Sequence, residues 1–258
     1  MLPVLRGVID RRILINYRVD PDVLARFLPP PFRPQLVGGA AMAGICLIRL
    51  RGVRPAIFPA GLGLTSENAA HRVAVEWDDG YAVRSGVYVQ RRDTSSRLNA
   101  CVGGWIFPGI HHHAAFRVDE KADRYQVELR SDDGATRVRA VGRRAASLPT
   151  SSVFRSLDEA SAFFAAGSLG YSATPEPSRF QGLELRCFRW HAQPLELEEV
   201  QSSFFEDQAI FPKGSAALDC ALLMRDIEHE WHGRADLCCP APQALHATPR
   251  SSHLARRD

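Results

Sequence analysis

Alternation of apolar and polar residues, interrupted by short turn signals, is the feature that most constrains the fold of this chain. Apolar and other residues alternate in the segment 73–77, Asp79-Gly80 follows as a turn, and the segment 81–89 returns as a strand. The sequence Asp-Asp-Gly at 132–134 predicts a second hairpin, because Asp-Gly between alternating segments favours a tight turn. Such segments recur along the chain and outnumber the helical ones. The pattern predicts a mainly β fold of the α+β type, with an antiparallel sheet closed as a barrel or sandwich.

Two short helices have clear start signals. Asp20 is a good N-cap and Pro21 a good first helical residue, and the prolines at 29–31 end the helix. Ser156 and Glu159 form a capping box that predicts a second helix. We expect these helices at the ends of the sheet.

The ends of the chain differ from its middle. Residues 1–239 are expected to form a single domain, whereas residues 240–258 contain mostly polar residues and prolines and are predicted to be a disordered tail. The N-terminus lacks the apolar core of a signal peptide, and no apolar run approaches the roughly 18 residues of a membrane helix. We therefore expect a cytoplasmic protein with reduced thiols and no membrane partner.

The charge of the chain disfavours several classes of function. Lys and Arg total 32, Asp and Glu total 29, and the net charge of +3 is too small to indicate nucleic-acid binding. No GxGxxG or P-loop pattern indicates a nucleotide site. Lys121 and Lys213 are the only lysines, so all other basic residues are arginines. Arginine stays protonated and forms no Schiff base, which leaves two candidates for any lysine-based covalent mechanism.

Three consecutive histidines, His111 to His113, are the first candidate site. On a strand, His111 and His113 share one face and His112 lies on the other. The first and third could bind one metal with a further ligand such as Glu67. Hydrogen-bonded pocket histidines are the favoured interpretation, and a partly exposed strand without a chemical role is the third alternative. We expect no metal and no cofactor.

Glu67 is the second candidate, between a glycine-rich segment and a strong strand. A carboxylate at the start of a strand is usually solvated or caps a turn. Inside an apolar barrel, Glu67 would instead serve as a general acid or base.

The third candidate is the polar segment 90–104, which lies between two apolar segments. Its arginines could bind a carboxylate and its other polar groups could add hydrogen bonds; these residues are Arg91, Arg92, Arg97, Ser95, Ser96 and Asn99. Tyr88 precedes the segment and is a further candidate ligand-binding residue. The alternative is a solvated loop in which Asp93 pairs with an arginine.

The order of these motifs resembles the acetoacetate decarboxylase-like proteins. INYRVDPDVLARFLPPPF is similar to the opening strand and helix of that family, and LGLTSENAAHRVAVEW is similar to the segment with its active-site glutamate. The second match would place Glu67 in the position of that glutamate. A group of uncharacterised bacterial proteins in the same superfamily, the YqjF-like domain of unknown function, is the closer match, over about residues 8–235. The resemblance implies an antiparallel β-barrel with a few short peripheral helices, which encloses a small-molecule pocket.

A third segment, YVQRRDTSSRLNACVGGWIFPGIHHH, resembles the one that ends in the Pro-Lys-Lys of true decarboxylases, and here the chain departs from the family. Pro108 matches the proline, but Gly109 and Ile110 follow it instead of lysines. Lys121 and Lys213 lie in polar turns and are predicted at the surface. The resemblance therefore implies the fold, but not a Schiff-base decarboxylase.

We expect Glu67, His111 and His113 to be catalytic and to share one cavity. The ligand-binding residues would be Arg97, Arg91, Asn99 and Tyr88. Three functions stay open. The protein could be a lyase-like or isomerase-like enzyme that acts on a small oxo or carboxylate compound by acid–base chemistry. It could be a non-catalytic ligand-binding protein on the same fold, or a histidine-based metal-dependent enzyme. A homo-oligomer is compatible with each of the three.

Overall fold

The computed structural model describes residues 3–59, 61–101 and 108–238. This part of the chain contains three helices: α1 (Pro21–Phe27), α2 (Arg97–Cys101) and α3 (Leu157–Ala166). It contains thirteen strands: β1 (Leu5–Val19), β2 (Arg33–Pro34), β3 (Leu36–Val37), β4 (Ala40–Pro55), β5 (Leu64–Asp78), β6 (Val83–Thr94), β7 (His111–Lys121), β8 (Arg124–Ser131), β9 (Arg137–Arg144), β10 (Leu169–Ala173), β11 (Arg179–Cys187), β12 (Gln193–Ser202) and β13 (Ala216–Cys238). The mainly β fold with few short helices is confirmed. The predicted disordered tail, 240–258, lies outside the described residues.

The strand pairings close the sheet on itself. Strands β6, β7, β8, β9, β12, β13, β1, β4 and β5 pair in that order, and β5 pairs back to β6. Strands β10 and β11 form a second link between β6 and β13. Two rings of strands therefore share β13, β1, β4, β5 and β6. Most pairs are antiparallel, but β6 is parallel to both β7 and β10, so the sheet is mixed.

Strand β6 changes partner along its length. Its residues 87–89 pair with 170–172 of β10, whereas its residues 92–94 pair with 111–113 of β7. The two rings therefore separate between Val89 and Arg92. We call the point where β6 changes partner the fork. At the fork, the polar segment that begins at residue 90 lies next to the histidine run of β7.

The helix signals of the sequence are confirmed at α1 and α3. The carboxylate of Asp20 accepts hydrogen bonds from the backbone N–H groups of Asp22 and Val23. The hydroxyl of Ser156 accepts a hydrogen bond from the backbone N–H of Glu159. These bonds satisfy donors that the first turn of a helix leaves free. Helix α2, within the polar segment 90–104, was not predicted.

The shared strands are buried on both faces. In β1, Ile13 and Ile15 pack in one apolar cluster with Val127 of β8, whereas Leu14 packs in a second cluster with Phe164 of α3. Burial of each large aliphatic side chain stabilises the fold by roughly 1.5–3 kcal/mol. Burial on both faces explains why β1 and β4 contain nearly continuous apolar runs. In the described residues, none of the three helices has the length and hydrophobicity of a membrane span.

Candidate ligand-binding cavity

A cavity of about 120 Å³ lies on the α3 face of the shared strands. Phe164 of α3 and the indole rings of Trp190 and Trp231 form part of its apolar wall. Three arginines on three different strands form its charged part: Arg12 on β1, Arg72 on β5 and Arg92 on β6. The cavity extends to the fork at which β6 passes from β10 to β7.

Arg12 is fixed by neutral groups. Its Nε donates a hydrogen bond to the Sγ of Cys46 at 3.3 Å, and its Cζ lies 5.7 Å from the ring centroid of Trp190. Its Nη1 is buried and donates to no group in the described structure. An indole face attracts a cation, but it leaves the hydrogen-bonding capacity of the guanidinium free.

Arg72 is 7% exposed. Its Nη2 donates to the Oδ1 of Asn16 at 2.5 Å, its Cζ lies 5.0 Å from the ring centroid of Phe164, and its Nε has no partner among the described residues. Burial lowers the pKa of Arg72 to about 10, and the nearby charge of Arg12 adds to this lowering. The guanidinium remains charged at neutral pH, at a cost in solvation that a bound anion would offset.

Arg92 is the third cation. Its Nε and Nη2 donate to the hydroxyl of Ser172 at 3.2 and 3.0 Å. Burial lowers the pKa of this guanidinium to about 10 as well. Like the other two arginines, Arg92 is held by a neutral partner.

The three arginines have no carboxylate partner in the described part of the chain. Asp93 also lines the cavity, but it is fully buried and accepts hydrogen bonds from the Nε and Nη2 of Arg91. Its charge is therefore already paired. The three guanidinium groups of the cavity wall therefore carry positive charges that no carboxylate of the described residues pairs with.

His111, at the start of β7, lines the same cavity. Its Nδ1 lies 3.3 Å from the backbone oxygen of Gly109. Burial, and then the charge of Arg92, lowers the pKa of His111 to about 3, so the imidazole is neutral at neutral pH. Gly109 has a φ of +85°, and a Cβ at this position would lie 2.6 Å from the Cβ of Ser172. A side chain is therefore strongly disfavoured where the family resemblance would place a lysine.

Glu67 faces the opposite side of β5. Its neighbour Asn68 lines the cavity, and successive side chains of a strand point to opposite faces. Its Oε2 accepts from the Nη2 of Arg11 and its Oε1 from the Nε of Arg49, both at 2.5 Å. Arg11 is fully buried and also donates to Glu120 at 2.7 Å. Glu67 therefore belongs to a buried ionic cluster, which we define as Arg11, Glu67, Arg49 and Glu120.

Of the three predicted catalytic residues, His111 alone lines the cavity, so the expectation of one cavity shared with Glu67 and His113 is not met. His113 lies at the register position of Thr94, beyond the lining residues, and its Nδ1 is 2.8 Å from an oxygen of Asp132. Two residues of a strand that share a face are still about 7 Å apart, which is enough to separate them here.

Of the predicted ligand-binding residues, Asn99 lines the cavity. Arg97 is exposed on α2, and Arg91 is held by Asp93. Tyr88 is buried in the apolar cluster on the other face of β6. The sequence interpretation named Arg92 but missed Arg12 and Arg72, whose only signal was the presence of an arginine within an apolar strand.

Both lysines of the chain lie at the surface. Lys213 is exposed, and the Nζ of Lys121 lies 3.0 Å from an oxygen of Asp119 in a side chain that is 82% exposed. The surface positions predicted for them are confirmed. Within the described ranges, no three His, Cys, Asp or Glu side chains come together in an arrangement that could hold a metal ion.

Solved structures identify the fold class. Acetoacetate decarboxylase from Legionella pneumophila is 14% identical, with a TM-score of 0.60 over 91% of this chain and 88% of that chain. An acetoacetate decarboxylase-like enzyme from Sphingomonas wittichii RW1 is 9% identical, with a TM-score of 0.58 over 92% and 93%. The enduracididine biosynthesis enzyme MppR, complexed with pyruvate, is 14% identical, with a TM-score of 0.53 over 91% and 90%. The chain therefore has the acetoacetate decarboxylase-like fold.

The family follows from the sequence itself. Residues 9–224 match the family DUF2071, described as an uncharacterized conserved protein, and the chain belongs to this family. No curated protein is significantly similar in sequence. The resemblance stated from the motifs, to an uncharacterised family with an acetoacetate decarboxylase-like fold, is confirmed.

Proposed function

We propose that this protein binds a small carboxylate compound in the cavity lined by Arg12, Arg72 and Arg92. The observation that carries the proposal is that three guanidinium groups on the cavity wall lack a carboxylate partner in the described structure, where Arg72 is buried and Arg12 and Arg92 are half-buried. Buried charges are normally paired, and hydrogen bonds between guanidinium and carboxylate groups are among the strongest in proteins. A bound carboxylate would supply the missing partner.

The rest of the wall suits the organic part of such a ligand. Phe164, Trp190 and Trp231 are apolar, and a largely apolar cavity with a few convergent polar groups is typical of a small-molecule site. MppR, which has the same fold, is complexed with pyruvate, a small oxo acid. That complex supports an oxo acid as one candidate ligand.

Acid–base catalysis is a second candidate, favoured by the position of His111. A neutral imidazole can accept a proton, and a carboxylate bound at the neighbouring Arg92 would raise the pKa of His111 from its low value. The reaction would be lyase-like or isomerase-like and would proceed without a Schiff base, because neither lysine lies in the cavity. Of the catalytic residues expected from the sequence, this proposal uses His111 alone.

Cys46 provides a direct probe of the proposed anion site. Iodoacetate and iodoacetamide both alkylate a thiolate, with formation of an S–C bond and release of iodide, but only iodoacetate carries a carboxylate. The Sγ of Cys46 lies 3.3 Å from the Nε of Arg12 inside the cavity, whereas Cys238 is an exposed free thiol. We expect the ratio of the iodoacetate rate to the iodoacetamide rate to be at least about tenfold higher at Cys46 than at Cys238, because the cavity concentrates the anion.

Peptide mapping by mass spectrometry measures both rates in one sample. The variant Arg72→Gln should lower the ratio at Cys46, and replacement of the exposed Arg26 by Gln should leave it unchanged. Equal ratios at the two cysteines would contradict the proposal. So would a Cys46 that neither reagent modifies, because a cavity closed to both cannot admit a small ligand.

A further inference from the structure

We infer that the ligand of the cavity carries two anionic groups, as a dicarboxylate does. This inference rests on the proposed function and narrows it to one class of compound. Two observations support it: the positive charge of the cavity wall, and the positions of the arginines on separate strands.

The charge of the wall exceeds what one carboxylate can balance. Among the described residues, Arg12, Arg72 and Arg92 have no carboxylate partner, and Asp93, the carboxylate on the wall, is paired with Arg91. A single carboxylate would balance one of three positive charges and leave two guanidinium groups of the cavity wall without a carboxylate. Buried charges without partners are costly, so a second anionic group on the ligand would be favourable.

The three arginines also enter the cavity from three different strands. Arg12 is on β1 and Arg92 is on β6, and β4 and β5 lie between these strands. Three inter-strand spacings separate the two backbones by about 14 Å. Arg12 extends toward Cys46 and Trp190, and Arg92 toward Ser172, so different groups hold the two guanidinium groups. This arrangement fits a ligand with an anionic group at each end.

A long apolar ligand is the competing class. A neighbouring groove shares Leu50 and Asn99 with the cavity, and its wall includes Val53, Phe58 and Leu62. This groove could hold the chain of a monocarboxylate. Among the described residues that line this groove, Arg54 is the one cationic group. Its Nε and Nη1 already donate hydrogen bonds to backbone oxygens, so the groove is poorly suited to either end of a dicarboxylate.

The experiment compares ligands that differ only in the second carboxylate. Calorimetric titrations at pH 7.5 and constant ionic strength would use 2-oxoglutarate against 2-oxopentanoate, and succinate against butanoate, with octanoate as the apolar arm. We expect each dianion to bind at least about tenfold more tightly than its matched monoanion, with a steeper dependence on salt. In Arg92→Gln this preference should fall at least about fivefold, whereas the monoanion should still bind.

The controls separate failure of the inference from failure of the proposed function. Arg26→Gln should keep the full preference, and Arg12→Gln should lose it like Arg92→Gln, so that the test does not depend on one variant that folds poorly. Equal affinities within each pair would overturn the inference and leave carboxylate binding standing. Octanoate as the tightest ligand would overturn it in favour of an apolar chain. If no member of the series binds, both the inference and the proposed function fail.

Discussion

Replacement of Glu67 by alanine is expected to lower the free energy of unfolding by about 3 kcal/mol, although this residue stands where the family resemblance places an active-site glutamate. Glu67 is 15% exposed and binds Arg11, which is fully buried. Loss of one partner from a buried ion pair typically costs about 3–5 kcal/mol, because the remaining charge loses its compensation. Glu120 still binds Arg11, so the lower end of that range applies.

Chemical denaturation of wild type and variant at pH 7.5 measures this loss. The pair formed by Arg143 and Glu196 is the matched control, since both side chains are more than half exposed. Exposed pairs contribute about 0–1 kcal/mol, so Glu196→Ala should have a small effect. Equal effects of the two replacements would contradict the structural role of Glu67. Carboxylate binding by Glu67→Ala should persist below its melting temperature, because Glu67 does not line the cavity.

Acidification from pH 6.5 to 5.0 is expected to lower the free energy of unfolding by about 4.5 kcal/mol through three histidines. Burial lowers the pKa of His71 and of His229 to about 4 and that of His111 to about 3. In the unfolded chain each histidine takes up a proton near pH 6.5. Between these values the unfolded state binds more protons than the folded state, so stability falls as the pH falls. Each histidine contributes about 1.5 kcal/mol over this interval.

Urea unfolding at several pH values gives the slope. His71→Phe should remove about one third of the pH dependence, and the phenyl ring would fill the same apolar site, in which His71 packs edge-on against Phe204. Replacement of the exposed His191 by Phe should leave the slope unchanged. A free energy of unfolding that stays constant from pH 6.5 to 5.0, or a slope that His71→Phe does not alter, would show that these histidines are not held neutral in the fold.

The fold could be predicted from the sequence because its signals are local. The turn at Asp79-Gly80 joins β5 to β6, and the N-caps Asp20 and Ser156 begin α1 and α3 as their patterns indicate. The mixed pairing of β6 could not be predicted, because parallel pairing with β7 and β10 depends on contacts between segments that are distant in sequence.

The site could be predicted only in part, because the shared strands are buried on both faces. Alternation along β5 separates Glu67 from Asn68, but it does not tell which face holds a cavity when both faces are apolar. The same ambiguity placed Tyr88 in the pocket, although its face of β6 packs in the opposite core. His111 and Asn99, two of the candidates from the sequence, line the cavity because the polar segment and the histidine run come together where β6 changes partner.

Arginines, and no lysine, supply the positive charge of the cavity wall. A Schiff base requires a lysine near the ligand, and both lysines here lie at the surface. Arginine instead offers fixed positive charge and paired N–H donors, which bind carboxylates without forming a covalent bond. The chain thus combines the acetoacetate decarboxylase-like fold with the arginine-lined cavity that the proposed binding of a carboxylate requires.

A crystal structure of the protein with malonate would show whether the three arginines bind carboxylates. We expect malonate in the cavity, with carboxylate oxygens within about 3.2 Å of guanidinium nitrogens from at least two of Arg12, Arg72 and Arg92. Crystals of Arg72→Gln and Arg92→Gln should show a lower occupancy of malonate. A cavity that holds only water at a saturating malonate concentration, with malonate elsewhere on the surface or absent, would show that the arginines do not form a carboxylate site.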